Sequence, residues 1–261
     1  MNARAFLIRG LIAGLLAGLA AFFVGYTVGE PHVDTAIALE EAGAAAEDTV
    51  AEDGHTHSHA DEEAGTEVSR TNQATWGLLT GTVTVGLALG GLIALIAAAT
   101  LGRIGRLLPG QSTALVTVIG FVSFALVPFL KYPATPPAVG SGETIGARTA
   151  LYFGFVLVSV IAAVAASYGA LKLRERFGTY VGVVAGIAGY LLVVGVAAQI
   201  FETVNEVGDF PADTLWFFRR ASLFTIATLW GVIGVVLTGL IGRLYAAETT
   251  EAERRQLAAA L

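Results

Sequence analysis

The chain of 261 residues has no cysteine, one methionine, seven prolines and four histidines, and only 14% of its residues are charged. Without cysteine there is no disulfide framework, zinc ribbon, iron–sulfur cluster or thiol nucleophile. So little charge beside so much apolar residue excludes a disordered chain. Fifteen basic residues against 21 acidic ones give a net charge of −6, the wrong sign for binding nucleic acid. Chemical motifs are missing too. The sequence holds no G-x-x-x-x-G-K-[ST], so no P-loop cleaves ATP. It holds no H-E-x-x-H and no G-x-S-x-G, and no histidine falls in a long apolar run, which leaves neither a zincin site nor a Ser–His pair. The expectation is a protein that is not an enzyme and carries no resident cofactor.

What is present is apolar. Hydrophobic residues make up 55% of the chain, with 32 glycines besides and a mean hydropathy of +0.70. Six runs lack any charged residue or histidine: Gly10–Gly29, Thr71–Gly102, Leu107–Leu130, Thr149–Leu171, Phe177–Phe201 and Ala221–Gly242. About 20 apolar residues of helix cross a hydrocarbon core of about 30 Å. The runs are continuous rather than alternating, so helices are expected and not barrel strands. The predicted fold is all-α, a polytopic membrane bundle of about six helices with an acidic, His-containing loop outside the cytoplasm. The domain plan is a first membrane helix (1–29), the loop (30–70, flexible over 42–66), a five-helix membrane bundle (71–245) and a cytoplasmic tail (246–261). The first run follows Arg4 and Arg9, as a signal peptide would, but no A-x-A site ends it, so it is taken as an uncleaved helix. Gly10, Gly14 and Gly18 recur at one-turn spacing and predict a close helix contact.

Basic residues set orientation. With both termini in the cytoplasm, ten of the fifteen Lys and Arg lie inside and 17 of the 21 acids lie outside. The outer surface then attracts cations. The expected site is the multi-pass cell membrane, the lipid bilayer being one partner and a divalent metal ion another.

Candidate sites fall in the outer loops. The tract His55–Thr56–His57–Ser58–His59 places alternate imidazoles on one side of an extended chain, or His55 and His59 together on a helical turn. Imidazole takes Co(II), Ni(II), Cu(II) and Zn(II), so the tract is either a collecting antenna for metal or a polar linker with a few histidines. Glu30-Pro31-His32-Val33-Asp34 ends the first run. Pro31 suits the first position of a short helix. Glu30, His32 and Asp34 offer mixed carboxylate and imidazole ligands, or else simply complement a helix dipole.

At the exit of the third run, four of the seven prolines lie within 128–137, which predicts a rigid non-helical crossing of the interface with Lys131, Tyr132 and Pro133 at its start. This is a stretch of the transport path or an outer cap with interfacial anchors. Glu202, Asn205 and Glu206 share one face if the fifth helix continues outward, and Arg219 or Arg220 is placed to pair with those carboxylates.

Several of these segments resemble one family. Glu30-Pro31, Asp34-Thr35-Ala36-Ile37, Glu40-Glu41, Arg70, Gln73 and Gly77 carry part of the likeness. Leu130-Lys131-Tyr132-Pro133-Ala134-Thr135-Pro136-Pro137-Ala138-Val139-Gly140 is its most specific element. Arg148 with Tyr152, and Trp216, Phe218-Arg219, Ser222-Leu223 and Trp230 complete it. Over about residues 5–245 the chain resembles the CbtA family, described as probable cobalt transporter subunits. That resemblance implies Co(II) as the transported ion, a link to cobalamin synthesis, and a small single-span CbtB-like partner. Two other readings stay open: a metal receptor or scaffold that passes ions to a separate transporter, and a permease for nickel or an organic cobalt compound.

Overall fold

Bilayer-length apolar runs satisfy their backbone polar groups internally only as helices, and the computed structural model, which describes residues 2–51 and 68–260, contains no strand among them. Six helices are long and apolar enough to cross a membrane: α1 (Ala3–Ala45), α2 (Arg70–Thr100), α3 (Pro109–Lys131), α4 (Gly142–Phe177), α5 (Thr179–Ile200) and α6 (Ala212–Ala259). The chain is therefore a multi-pass all-helical membrane protein. One end of the bundle carries the segments around Glu30, Lys131 and Phe201 and is called the acidic end. The other carries the segments around Arg4, Arg103, Lys172 and Arg243 and is called the basic end. His55, His57 and His59 lie outside the described residues.

Lipid tails are as apolar as leucine, so hydrophobicity alone does not draw membrane helices together; close backbone packing does. The contact of α1 with α2 is built this way. A methyl group on Gly14 would lie 2.2 Å from the carbonyl oxygen of Gly86, and one on Gly10 would lie 2.3 Å from that of Gly90. One on Gly18 would lie 2.6 Å from Cα of Val83 and 2.7 Å from the carbonyl oxygen of Thr82. The expected stripe on α1 thus finds a matching one, Gly86 and Gly90, on α2. Ala13, Ala17, Ala94 and Ala97 fill the same seam.

Two packed units result. Helices α1, α2, α3 and α6 share a core of Phe6, Ile93, Trp230, Ile233, Leu237 and Ile241. Helices α4 and α5 pack on each other around Ala162, Ala163, Tyr190 and Val194. Within that pair Gly182 and Gly186 admit α4 at Ala170, and Ser159 and Tyr190 join their buried hydroxyls at 2.9 Å. Helix α3 belongs to both units. Val116, Phe121 and Ala125 face the first core, while Ile119, Val122 and Val127 face the second.

Proline shapes two of the helices. A proline inside a helix lacks an N–H and its ring presses on the carbonyl four residues back. In α1 the turn Gly25–Gly29 widens to a π-turn just before Pro31, so the N–H of Glu30 reaches Gly25. In α3 the turn Phe121–Leu126 widens before Pro128, and the N–H of Val127 reaches Val122. Each wide turn absorbs the proline without ending the helix. The expected helix start at Pro31 is thereby corrected: α1 passes through Pro31, and the chain stays helical to Ala51. The segment from Glu30 to Ala51 is helix.

The α1–α2 seam yields a stability prediction. Gly14→Ala places a methyl against backbone that cannot move aside, at a cost of roughly 1–3 kcal/mol. Gly81→Ala meets open space. Thermal unfolding in detergent is expected to show a lower midpoint for the first variant and an unchanged or higher one for the second.

Candidate functional site

At the acidic end α5 stops at Ile200, Phe201 is extended, and the chain from there to Pro211 is irregular. The last carbonyls of any helix lack intrahelical donors and carry the negative end of its dipole. Here a cation from another helix meets them. Lys131, the last residue of α3, donates from Nζ to the carbonyl of Ala198 at 2.9 Å, and lies 3.5 Å from the hydroxyl of Thr203. The neighbouring Tyr132 donates its hydroxyl to the carbonyl of Glu202 at 2.7 Å. Its ring stands edge-on to Phe155 of α4, which in turn meets Phe201 edge-on. Phe155 is 1% exposed, so this aromatic trio roots the clasp in the bundle.

The proline-rich segment continues the clasp. Pro133 is half-buried, and Pro136 and Val139 are buried. Ala138 adopts φ 65° and Gly140 φ 95°. The positive φ of Gly140 favours glycine, and the guanidinium of Arg148 occupies the space beside it, with Nη1 2.3 Å from an ideal Cβ. Arg148 donates to the carbonyl of Ser141 at 3.1 Å and stands 3.5 Å from Glu206. Glu206 also accepts from the Ser141 amide at 3.2 Å and the Thr144 hydroxyl at 2.9 Å. Arg219 of α6 donates to the carbonyl of Ala134 at 3.3 Å. One irregular segment therefore holds the ends of α3, α4, α5 and α6.

Several expectations change here. Glu202, Asn205 and Glu206 do not share a helical face, because α5 ends before them. Glu202 and Asn205 are exposed, and Glu202 contributes its backbone carbonyl. Arg219 and Arg220 do not pair with Glu202 or Glu206. Arg219 binds a carbonyl, Arg220 lies over the ring of Phe217, and Glu206 takes Arg148 instead. The sequence read alone gave Arg148 no role at the site. Its partner is 58 positions away, and no local spacing signals such a pair.

A second polar group stands where α1 leaves the bundle. Glu30 and Asp34 are one turn apart, and Arg70 at the start of α2 binds both. Its Nη2 meets Glu30, and lies 2.9 Å from Asp34. The three line an open cleft of about 370 Å³ with Tyr26, Pro31, Thr71, Ala74 and Thr75. His32 does not join them. Two residues along a helix point to opposite sides, and His32 stacks on Phe217 of α6 with ring centroids 5.8 Å apart. Among the described residues no three His, Asp or Glu side chains gather as a metal-binding group. Between Glu30 and Asp34 the countercharge is the protein's own arginine.

Burial and the nearby charge of Glu202 raise the Tyr132 phenol above its usual value. A raised folded-state value means that the neutral hydroxyl supports folding below about pH 10, and that this support is lost as pH climbs through the folded value. Tyr132→Phe removes only the bond to Glu202 and is expected to cost about 1 kcal/mol. The difference from wild type, read by thermal unfolding at pH 7 and above pH 10, should shrink at the higher pH.

The comparison with known proteins agrees with this architecture. No curated protein and no solved structure matches the chain. A family model described as "Probable cobalt transporter subunit (CbtA)" matches residues 3–242, which take in α1 to α5, α6 as far as Gly242 and the whole of the clasp. By that match over nine-tenths of its length, the chain belongs to the CbtA family, whose members are described as probable cobalt transporter subunits.

Proposed function

We propose that the chain is the membrane subunit of a Co(II) uptake system that supplies cobalamin synthesis, and that a small single-span CbtB-like subunit completes it. The carrying observation is a coincidence of place. The Leu130–Gly140 segment, on which the sequence resemblance to the family chiefly rests, is also the hub that holds four helix ends at one face of the bundle. The excess of Lys and Arg at the opposite end supports cytoplasmic termini in the cell membrane, so that the hub faces outward. The acidic outer surface then concentrates divalent cations. His55, His57 and His59 act as a collecting tract ahead of the mouth.

In this reading Lys131, Tyr132 and Pro133 shape the entrance together with the Glu202–Glu206 segment and Arg219. Glu30 and Asp34 are the nearest fixed ligands, while His32 stands on the other side of α1 against Phe217. An ion reaches those carboxylates by exchanging with the Arg70 guanidinium. The membrane potential alone favours inward movement of a doubly charged ion by about 4.6 kcal/mol per 100 mV.

Radiolabelled Co(II) uptake tests the proposal in cells lacking their own importer, with this chain alone and with a CbtB-like partner. Uptake that depends on the chain supports it; no uptake in either case, with protein confirmed in the membrane, favours a receptor that hands metal to another transporter. Competition by excess Ni(II) or cobinamide separates the other substrates. Lys131→Ala is expected to lower the maximal rate several-fold without loss of protein from the membrane. Deleting residues 54–66 should weaken uptake at low metal and leave the maximal rate nearly intact.

A further inference from the structure

The lipid-facing side of α4 is a straight line of exposed side chains: Phe153, Leu157, Ile161, Val164 and Tyr168, spaced three or four apart and each at least 59% exposed. The next positions on the same line are Lys172 and Arg176. The apolar stripe thus ends in one aromatic ring followed by two cations, at the basic end of the bundle. Lys172 lies over the Tyr168 ring at 4.8 Å, and Arg176 lies over Phe177 at 5.5 Å. Phe177 and Tyr180, which flank the turn into α5, are 56% and 81% exposed.

The charge on this surface is net positive, with Glu175 near Lys172 offsetting only part of it. Residues 168–180 contain three bases and one acid, Glu175. Arg174 is turned inward, its guanidinium against Gly105 of the α2–α3 connection. Lys172 and Arg176 have no carboxylate within ion-pair distance among the described residues. Two cations one helical turn apart, resting on rings at the edge of a lipid-facing stripe, fit a headgroup phosphate above acyl chains. A zwitterionic headgroup brings its own cation and gains little. An anionic one neutralises the pair.

We propose that the α4–α5 turn is a binding site for an anionic phospholipid, with Lys172 and Arg176 holding the headgroup phosphate and Tyr168, Phe177 and Tyr180 packing at the interface beside its acyl chains. The site stands apart from the proposed transport path and does not depend on that reading. It fixes the outer edge of the α4–α5 pair in the leaflet at the basic end.

Native mass spectrometry tests the site with the full chain in mild detergent, given equal amounts of phosphatidylglycerol and phosphatidylcholine of the same acyl chains. The wild type is expected to retain phosphatidylglycerol preferentially. Each cation near a membrane surface contributes a factor of about five, so Lys172→Gln with Arg176→Gln should reduce the preference roughly 25-fold. Lys172→Arg, which keeps the charge and serves as the check on folding, should preserve it. Arg254→Gln with Arg255→Gln, an equal charge change on the exposed tail of α6, should leave it unchanged. A wild type without preference, a double variant that keeps it, or a tail variant that loses it equally would each overturn the assignment.

Discussion

A helix that ends within a membrane protein must find donors for its last carbonyls, and the acidic end of this molecule is organised around one such end. Helix α5 stops at Ile200, and irregular chain follows it. The ammonium of Lys131 supplies the missing donor at Ala198. Pro128 is absorbed by a widened turn, so α3 runs on to Lys131 before Tyr132 and Pro133 break it. Tyr132, Arg148 and Arg219 then tie the same irregular segment to the chain after α5, to α4 and to α6. Each bond is worth about 1 kcal/mol by itself. Their common dependence on one short segment makes that end act as a unit.

The two packed units meet chiefly along α3 and at this clasp. The first unit is held by backbone-to-backbone approach of α1 and α2, a contact that tolerates no added atom. The second is a helical hairpin joined by small residues and one buried hydroxyl pair. The four-helix body and the hairpin share α3, which carries a π-turn at Phe121–Leu126 where the two cores adjoin. At the far end Arg174 against Gly105 gives the hairpin a second anchorage, and the proposed lipid site sits on its outer edge.

At the acidic end the carboxylates carry their own countercharge. Glu30 and Asp34 are brought to one side of α1 by helical spacing, and Arg70 binds both from the first turn of α2. The Asp34 side of the group is exposed, and such a pair contributes at most about 1 kcal/mol; Glu30 is the more enclosed partner.

Hydropathy alone determined the class of this protein. Uncharged runs of 20 or more residues in lipid have one economical solution, and six helices follow from six runs. The glycine stripe on α1 was legible for the same reason, since spacing of four is one helical turn. The proline-rich break after Lys131 was equally visible, because proline acts on its own backbone. Pairings between distant segments belonged to the tertiary structure. It decided that Glu206 meets Arg148 and not Arg219, that Lys131 caps α5, that Arg70 sits between Glu30 and Asp34, and that His32 turns to Phe217. It also decided that α1 passes through Pro31, where local preference alone favours a new helix start. Local rules fix which backbone shapes are open to a segment. Which carboxylate meets which cation depends on where six helices bring their ends, and that is set by packing across the whole bundle.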